Sequence, residues 1–312
     1  MFPFLEESKM TNKVVVIGSI NVDSIMHIDN LPKPGETIKM NSFSKAGGGK
    51  GANQAVAAAR SEAETSFIGR VGDDSNGKLM LKLLKEDHID TQHITVVPKG
   101  DTGQSYILLQ KSGQNSIIYQ AGANSLVTAE DVDQAQDIIK QNDFIVTEFE
   151  TPIPAAIAAF RVARTARKVT ILNPAPAVKK IPEELLKLTD IITPNETESE
   201  LISGIKITDE DSLKKSADFY HNLGISGVII TLGSKGSFVS LNGKSEQIPA
   251  FKVDAVDTTA AGDTFIGALS SELNPDLSNI HDAIVYASKA SSLTVQKLGA
   301  FPSIPKRESV LK

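Results

Sequence analysis

AGGGKGANQ (46–54), followed by AVAAAR (55–60), puts a glycine-rich turn with a lysine at the entrance of a helix-forming run. A P-loop looks like this, and a P-loop would commit the chain to a nucleotide-binding fold built around that turn. The P-loop pattern needs GxxxxGK followed by Ser or Thr. Here Ser44 stands at the first glycine position, and Gly51 follows Lys50. The turn is not a P-loop, so its ligand has to be found from the rest of the chain.

On either side of it, KVVVIG (13–18), TSFIG (65–69), DFIVTE (143–148), KVTILN (168–173), DIITPN (190–195) and GVIITLG (227–233) are short apolar, β-branched runs. Helical stretches at 51–60, 76–86, 129–141, 153–166 and 211–223 lie between them, and 262–297 is mostly helical. Buried strands alternating with helices predict an α/β fold, a mostly parallel central sheet covered by helices on both faces. Two segments, 23–44 and 102–120, break the rhythm. SIMHIDN and ETIKMNSF flank LPKPG, while SYILLQ and NSIIYQ flank KSGQ, a hairpin signal of the longer-loop type. Both insert between core elements and are expected to form a small second sheet. Two extra hairpins on the main sheet edge are the alternative. A single domain is expected over 12–312, preceded by a disordered extension at 1–10.

The chain has 312 residues, 40% hydrophobic and 22% charged, which suits one large α/β domain. Its formal charge is -6 and its basic residues are scattered, so a nucleic-acid-binding face is not expected. The absence of cysteine removes disulfides and thiolate metal sites and fits a reducing cytoplasm. The five histidines show no HxxxH or HxH spacing and read as surface residues. MFPFLEESK is too short and too acidic for a signal peptide, and no apolar run approaches the ~18 residues of a membrane span. A cytoplasmic protein without a membrane partner is expected.

Four polar or glycine-rich turns follow strands. GSINVD (18–23) lacks GxGxxG, which disfavours a dinucleotide site, but places Asn21 and Asp23 at a strand's C-terminal end, where α/β sheets bind ligands. Turn formation alone would also select these residues. DTTAAGDTF (257–265) opens a helix, and the N–H groups of Ala260, Ala261, Gly262 and Asp263 can form an anion hole there. Asp263 is either that helix's cap or a base that accepts a hydroxyl proton during phosphoryl transfer. TPNETE (193–198) offers Asn195, Glu196 and Glu198, which can hold the water shell of Mg²⁺ or simply cap a helix. TLGSKG (231–236) can pass close to a nucleotide or be a plain turn. Four such turns on one sheet edge point to one site.

In this order and spacing, GSINVD, GGKGANQA, ILNPAPA (171–177), TPNETE, TLGSKG and VDTTAAGDTF resemble the ribokinase/PfkB family of carbohydrate kinases, over residues 12 to about 305. GGKGANQ with AAGDTF is the specific pair, and NVD with GGKGAN favours the ribokinase branch over fructokinase- or adenosine kinase-like members. The resemblance implies that the opening turn touches a sugar while the nucleotide phosphates lie against AAGD. It assigns D-ribose to Asn21, Asp23, Gly49, Lys50, Gly51, Asn53 and Glu150, with Asp263 as the base at the primary hydroxyl. It assigns ATP to Asn195, Thr231, Gly233, Ser234, Lys235, Gly236, Ala261 and Gly262. Ser288 joins them at a position where relatives often carry Asn or His near adenine. Glu198 would organise Mg²⁺ through water. A K⁺ activator would lie by Asp257, Thr259, Thr294, Lys297, Gly299 and Ser303, mostly on backbone oxygens. The two inserted segments would form a lid that clasps a second copy into a homodimer. The implied reaction is ribose to ribose 5-phosphate. The same chemistry on 2-deoxyribose or fructose, or a non-catalytic sugar-binding regulator, stands as the alternative.

Overall fold

The computed structural model describes residues 11–312, and the extension expected at 1–10 lies outside the described residues. In chain order the first half runs β1 (Lys13–Ile17), β2 (Asn21–Ile28), β3 (Ser42–Gly48), α1 (Lys50–Arg60), β4 (Glu64–Gly72) and α2 (Ser75–Glu86). It continues with β5 (Asp90–Val97), β6 (Gly103–Gln110), β7 (Asn115–Gln120), α3 (Ala129–Gln134), α4 (Gln136–Gln141), β8 (Phe144–Thr147) and α5 (Ile153–Thr165). Then come β9 (Val169–Leu172), α6 (Glu183–Lys187), β10 (Ile191–Ile192), α7 (Glu196–Ser203), α8 (Glu210–Asn222) and β11 (Gly227–Thr231). The chain ends with β12 (Ser237–Leu241), β13 (Lys244–Ile248), α9 (Ala261–Glu272), α10 (Ile280–Thr294) and α11 (Arg307–Val310).

Nine strands form the main sheet in the order β13-β12-β11-β10-β9-β8-β1-β4-β5. Every pairing from β11 to β5 is parallel, and β12 and β13 add antiparallel at one edge. In β1, Val14 and Val16 point into a core shared with α1, α9 and α10, while Val15 and Ile17 point into a second core under α3, α4, α5 and α8. That is why KVVVI shows no polar alternation: both faces are covered, and each fully buried Val or Ile contributes roughly 1.5–3 kcal/mol.

A separate four-stranded sheet has the order β3-β2-β6-β7, with β2 parallel to β6 and the outer pairs antiparallel. Its boundaries differ from expectation. Its second strand in sheet order, β2, begins at Asn21 rather than 23, and β3 covers 42–48 instead of ETIKMNSF, so the glycine run itself closes the strand. The helix expected over 129–141 is two short helices with a break at Ala135, whose ψ of 12° leaves the helical register.

The main sheet changes winding direction at β1: later strands β4 and β5 add on one side, and β8 to β11 on the other. Such a reversal opens a crevice beyond the strand ends. Two glycines let the opening turn reach it. Gly49 has φ 93°, and Gly51 packs so closely on β1's exit that a Cβ there would lie 2.7 Å from the Gly18 Cα. The turn is thus the close crossing of α1 over the end of β1.

Candidate active site

A cavity of about 1300 Å³ lies at this crevice, between the C-terminal ends of the main sheet and the second sheet. Asn21, Asp23, Gly49, Lys50, Asn53 and Glu150 line one part of it. Asn195, Glu198, Thr231 and the turn from Asp257 to Asp263 line another. Asn21 and Asp263, 242 positions apart in sequence, therefore share one wall, and most of the residues named arrive on strand ends or on the first turns of α1 and α9.

Asp263 sits in the first turn of α9 and is buried. Its Oδ2 accepts from Asn53 Nδ2 at 2.9 Å and its Oδ1 from Gln54 Nε2 at 3.2 Å. The same Gln54 amide donates to Asn173 Oδ1 at 3.1 Å, and Asn173 Nδ2 donates to the Thr193 carbonyl. Asp263 is not a cap, since α9 has no side-chain cap and starts from Ala260 in the left-handed region. Burial raises its pKa. Lys50, Asn53 and Gln54 oppose that rise, while Glu150 adds to it.

The amide of Ala261 donates to the Thr258 carbonyl at 3.2 Å. The amides of Ala260, Gly262 and Asp263 donate to no group among the described residues, and the space above Gly262 is open. Three free N–H groups at the positive end of a twelve-residue helix are able to take an anion.

Opposite, Glu150 Oε2 accepts from Ser19 Oγ at 2.6 Å, from Asn21 Nδ2 at 3.3 Å and from the Lys50 amide at 3.4 Å. Asn21 Oδ1 accepts from the buried Asn124 Nδ2 at 2.7 Å. Asp23 has its pKa raised to about 6, chiefly by burial against a hydrogen bond from Ser105, with Glu150 and Asp263 adding repulsion. Burial would lower the Lys50 pKa, but the carboxylates of Asp263, Glu150, Glu148 and Glu198 outweigh it and the net direction is up. Lys50, half-buried, is the counter-charge of an acidic cavity. Buried side chains that offer both donors and acceptors suit a polyhydroxyl ligand.

Asn195 and Glu198 form a capping box at α7: Asn195 Oδ1 accepts from the Glu198 amide at 2.8 Å, and Glu198 Oε2 accepts from the Asn195 amide at 2.9 Å. Both also face the cavity, so capping and ligand binding coexist. Burial raises the Glu198 pKa, against the Asn195 amide and Lys50. Among the described residues no cluster of three or more acidic or histidine side chains could hold a metal on its own.

Asp257 holds its turn through both oxygens. Oδ1 accepts from Thr259 N and Oγ1 at 2.9 and 2.6 Å, and Oδ2 from the Gly299 amide at 2.9 Å. Burial would raise its pKa, but these donors win and lower it. Thr294, Lys297, Ser303, Ser288 and the 233–236 loop lie outside the cavity wall. Ser288 is on α10, Ser303 Oγ turns back to the Ala300 carbonyl, and Lys235 reaches Glu196 at the surface. Gly51 lies beneath the wall, not in it. Gln54, Asn124, Glu148 and Asn173 belong to the site although sequence reasoning did not single them out. GANQ and ILNP carried two of them within motifs already noted.

The sequence pattern of the pfkB family carbohydrate kinases matches residues 11–307. The chain is 51% identical over 302 residues to the ribokinase of Staphylococcus aureus (strain COL), covering 96% of this chain and 99% of that one. It is 44% identical over 303 residues to the ribokinase of Haemophilus influenzae, covering 97% and 98%. The solved structure of Arabidopsis thaliana ribokinase complexed with ribose and ATP aligns with a TM-score of 0.90 at 35% identity, covering 97% and 98%. On these matches the chain belongs to the pfkB family of carbohydrate kinases.

Proposed function

We propose that this kinase transfers the terminal phosphoryl group of ATP to the primary 5-hydroxyl of D-ribose, giving D-ribose 5-phosphate and ADP. The observation that carries the reading is Asp263: buried, pinned on both oxygens, and lining the same cavity as Asn21, Asp23, Glu150 and the start of α9. The names of the relatives, and the ribose and ATP bound to the Arabidopsis structure, support the choice of substrates.

In this reading Asp23, Asn21, Lys50, Asn53 and Glu150 hold the sugar hydroxyls. Asp263 accepts the proton of the attacking hydroxyl as its oxygen bonds the γ-phosphorus and ADP leaves. The amides of Ala260, Gly262 and Asp263 stabilise charge developing on the transferred group, already oriented before the reaction. Asn195 and Thr231 border the nucleotide. When bound, Mg²⁺ neutralises phosphate oxygens. Glu198, which faces the cavity, would hold the water shell of that ion. The Asp257 turn offers only oxygen donors, which suits K⁺. The second sheet would act as the lid and as the contact of a homodimer. ATP as co-substrate fits a cytoplasmic placement.

Coupled ADP release over a panel of pentoses and hexoses tests the assignment. Ribose should give the highest kcat/KM, and faster turnover of 2-deoxyribose or fructose would replace it. Asp263→Asn should lower kcat by ~10²–10⁴-fold with ribose binding nearly intact. Turnover within about threefold of the parent would remove Asp263 from the chemistry.

A further inference from the structure

Glu148 follows β8 and is fully buried, yet it is not part of the cavity wall. Its Oε1 accepts from the Ser19 amide at 2.5 Å, and its Oε2 accepts from the Glu150 amide. A Cβ on Gly18 would stand 2.6 Å from Oε1, so the exit of β1 packs directly on the carboxylate. Glu150 returns the connection, since its Oε2 accepts from Ser19 Oγ, and Ser19 Oγ accepts from the Gly51 amide at 3.3 Å. A closed ring results. The β1–β2 turn, the β8 exit and the first turn of α1 are tied together, with Glu148 underneath and Glu150 facing the ligand.

We propose that Glu148 is a positioning residue for the sugar: it clasps the Ser19 and Glu150 amides and so sets Glu150 and Asn21 at the spacing that hydroxyls require. The proposal rests on the reading of this site as a sugar kinase. A carboxylate suits the task because both of its oxygens accept. Glutamine in the same space accepts at one oxygen and turns an NH₂ toward the other amide. A buried N–H then loses its partner, and the clasp opens on that side. The ionisable groups around the clasp are Glu150, Lys50, Tyr119, Asp23, Asp263 and Glu198, all of the same cavity. A pH profile would mix their titrations with that of Glu148. The informative readout is therefore the split between substrates.

The experiment compares parent, Glu148→Gln, Glu148→Asp and Ser19→Ala in kcat, in KM for ribose and for ATP, and in ribose binding by calorimetry, with thermal melts to verify folding. Stranding one of the two buried N–H groups should raise the ribose KM and Kd in Glu148→Gln about tenfold. The ATP KM should stay within about threefold, because the nucleotide wall is not part of the ring. A folded Glu148→Gln with unchanged ribose affinity, or with equal losses for ribose and ATP, overturns the proposal. If Glu148→Gln does not fold, Glu148→Asp decides: its shorter carboxylate cannot hold both amides at once, and a folded Glu148→Asp with unchanged ribose affinity overturns the clasp. Ser19→Ala keeps both amide bonds to Glu148 and should lose less ribose affinity than either variant. Should the parent prefer another sugar, the ribose assignment alone fails and the same split is measured on that sugar. A parent that turns over no sugar sinks both.

Discussion

Asp263 owes its orientation to α1 more than to its own helix. Asn53 and Gln54 each donate to one of its oxygens, and both stabilise the ionised form that a base requires. Gln54→Leu keeps the volume and removes one donor, so the Asp263 pKa should rise further. Since the base acts only when ionised, the acidic limb of the kcat profile should move to higher pH. An unmoved limb would reduce Gln54 to packing. Asp23 makes a different trade. Its folded pKa of about 6 lies above the 3.8 of a free aspartate, so its contribution to stability is present below about pH 4 and lost as pH rises through 6. The loss is on the order of 2–3 kcal/mol at pH 7 in the ligand-free protein. Asp23→Asn should therefore raise Tm at pH 7, show no gain near pH 4, and weaken ribose binding. A lower Tm at pH 7 would refute that sign. Function here is bought against stability. Asp263 and Asp23 were legible because each sits in a short motif, Asp23 a few residues past the end of β1 and Asp263 in the first turn of α9. Gln54, Asn124 and Glu148 were not, because their partners lie 209, 103 and 129 positions away and exist only once the sheet is wound.

At the scale of elements, the runs with strong period were readable and the irregular ones were not. KVVVI, α5 and α8 lie within a residue or two of where the pattern puts them. The β12–β13 hairpin was missed although SLNGK carries its signal: Asn242 and Gly243 both have positive φ, as a two-residue hairpin turn needs. β5, a mostly half-exposed edge strand, has no clean alternation to detect. The α1–α9 crossing was also illegible. It depends on Gly267, where a Cβ would lie 2.3 Å from the Gln54 carbonyl, and no single glycine in a helix announces its partner. The Asp257 turn shows what such elements do together. Its carboxylate ties the start of the AAGD turn to Gly299, beyond α10, so anything that stiffens it steadies the anion hole. If K⁺ sits on the oxygens there, replacing K⁺ by Na⁺ at constant ionic strength should lower kcat, and Asp257→Ala should erase most of that difference. Equal parent rates in both salts would remove the cation and leave the rest of the site standing.

At the scale of the whole molecule, the two sheets divide the work. The nine-stranded sheet supplies strand ends and helix starts, while the four-stranded sheet supplies Asn21 and Asp23 and the roof above them. The roof is poorly covered for a folded protein. Ile117 and Ile118 on its last strand are 57% and 62% exposed, with Tyr119 and Phe43 also exposed. Adjacent strand residues face opposite ways, so Ile117 and Ile118 show apolar surface on both faces of β7. Ile117 lines the cavity side and Ile118 does not. An open, apolar sheet edge invites pairing with another chain, and a second copy with two-fold symmetry would cover it without creating a new edge. The parent should therefore sediment as a dimer at micromolar concentration. Ile118→Asp places a charge on the face away from the cavity, so it should give monomers without altering any residue that touches the sugar. If the dimer holds the roof in place, those monomers should show a raised ribose KM and a nearly unchanged ATP KM. A parent that is monomeric at micromolar concentration and fully active would show that the roof closes without a partner.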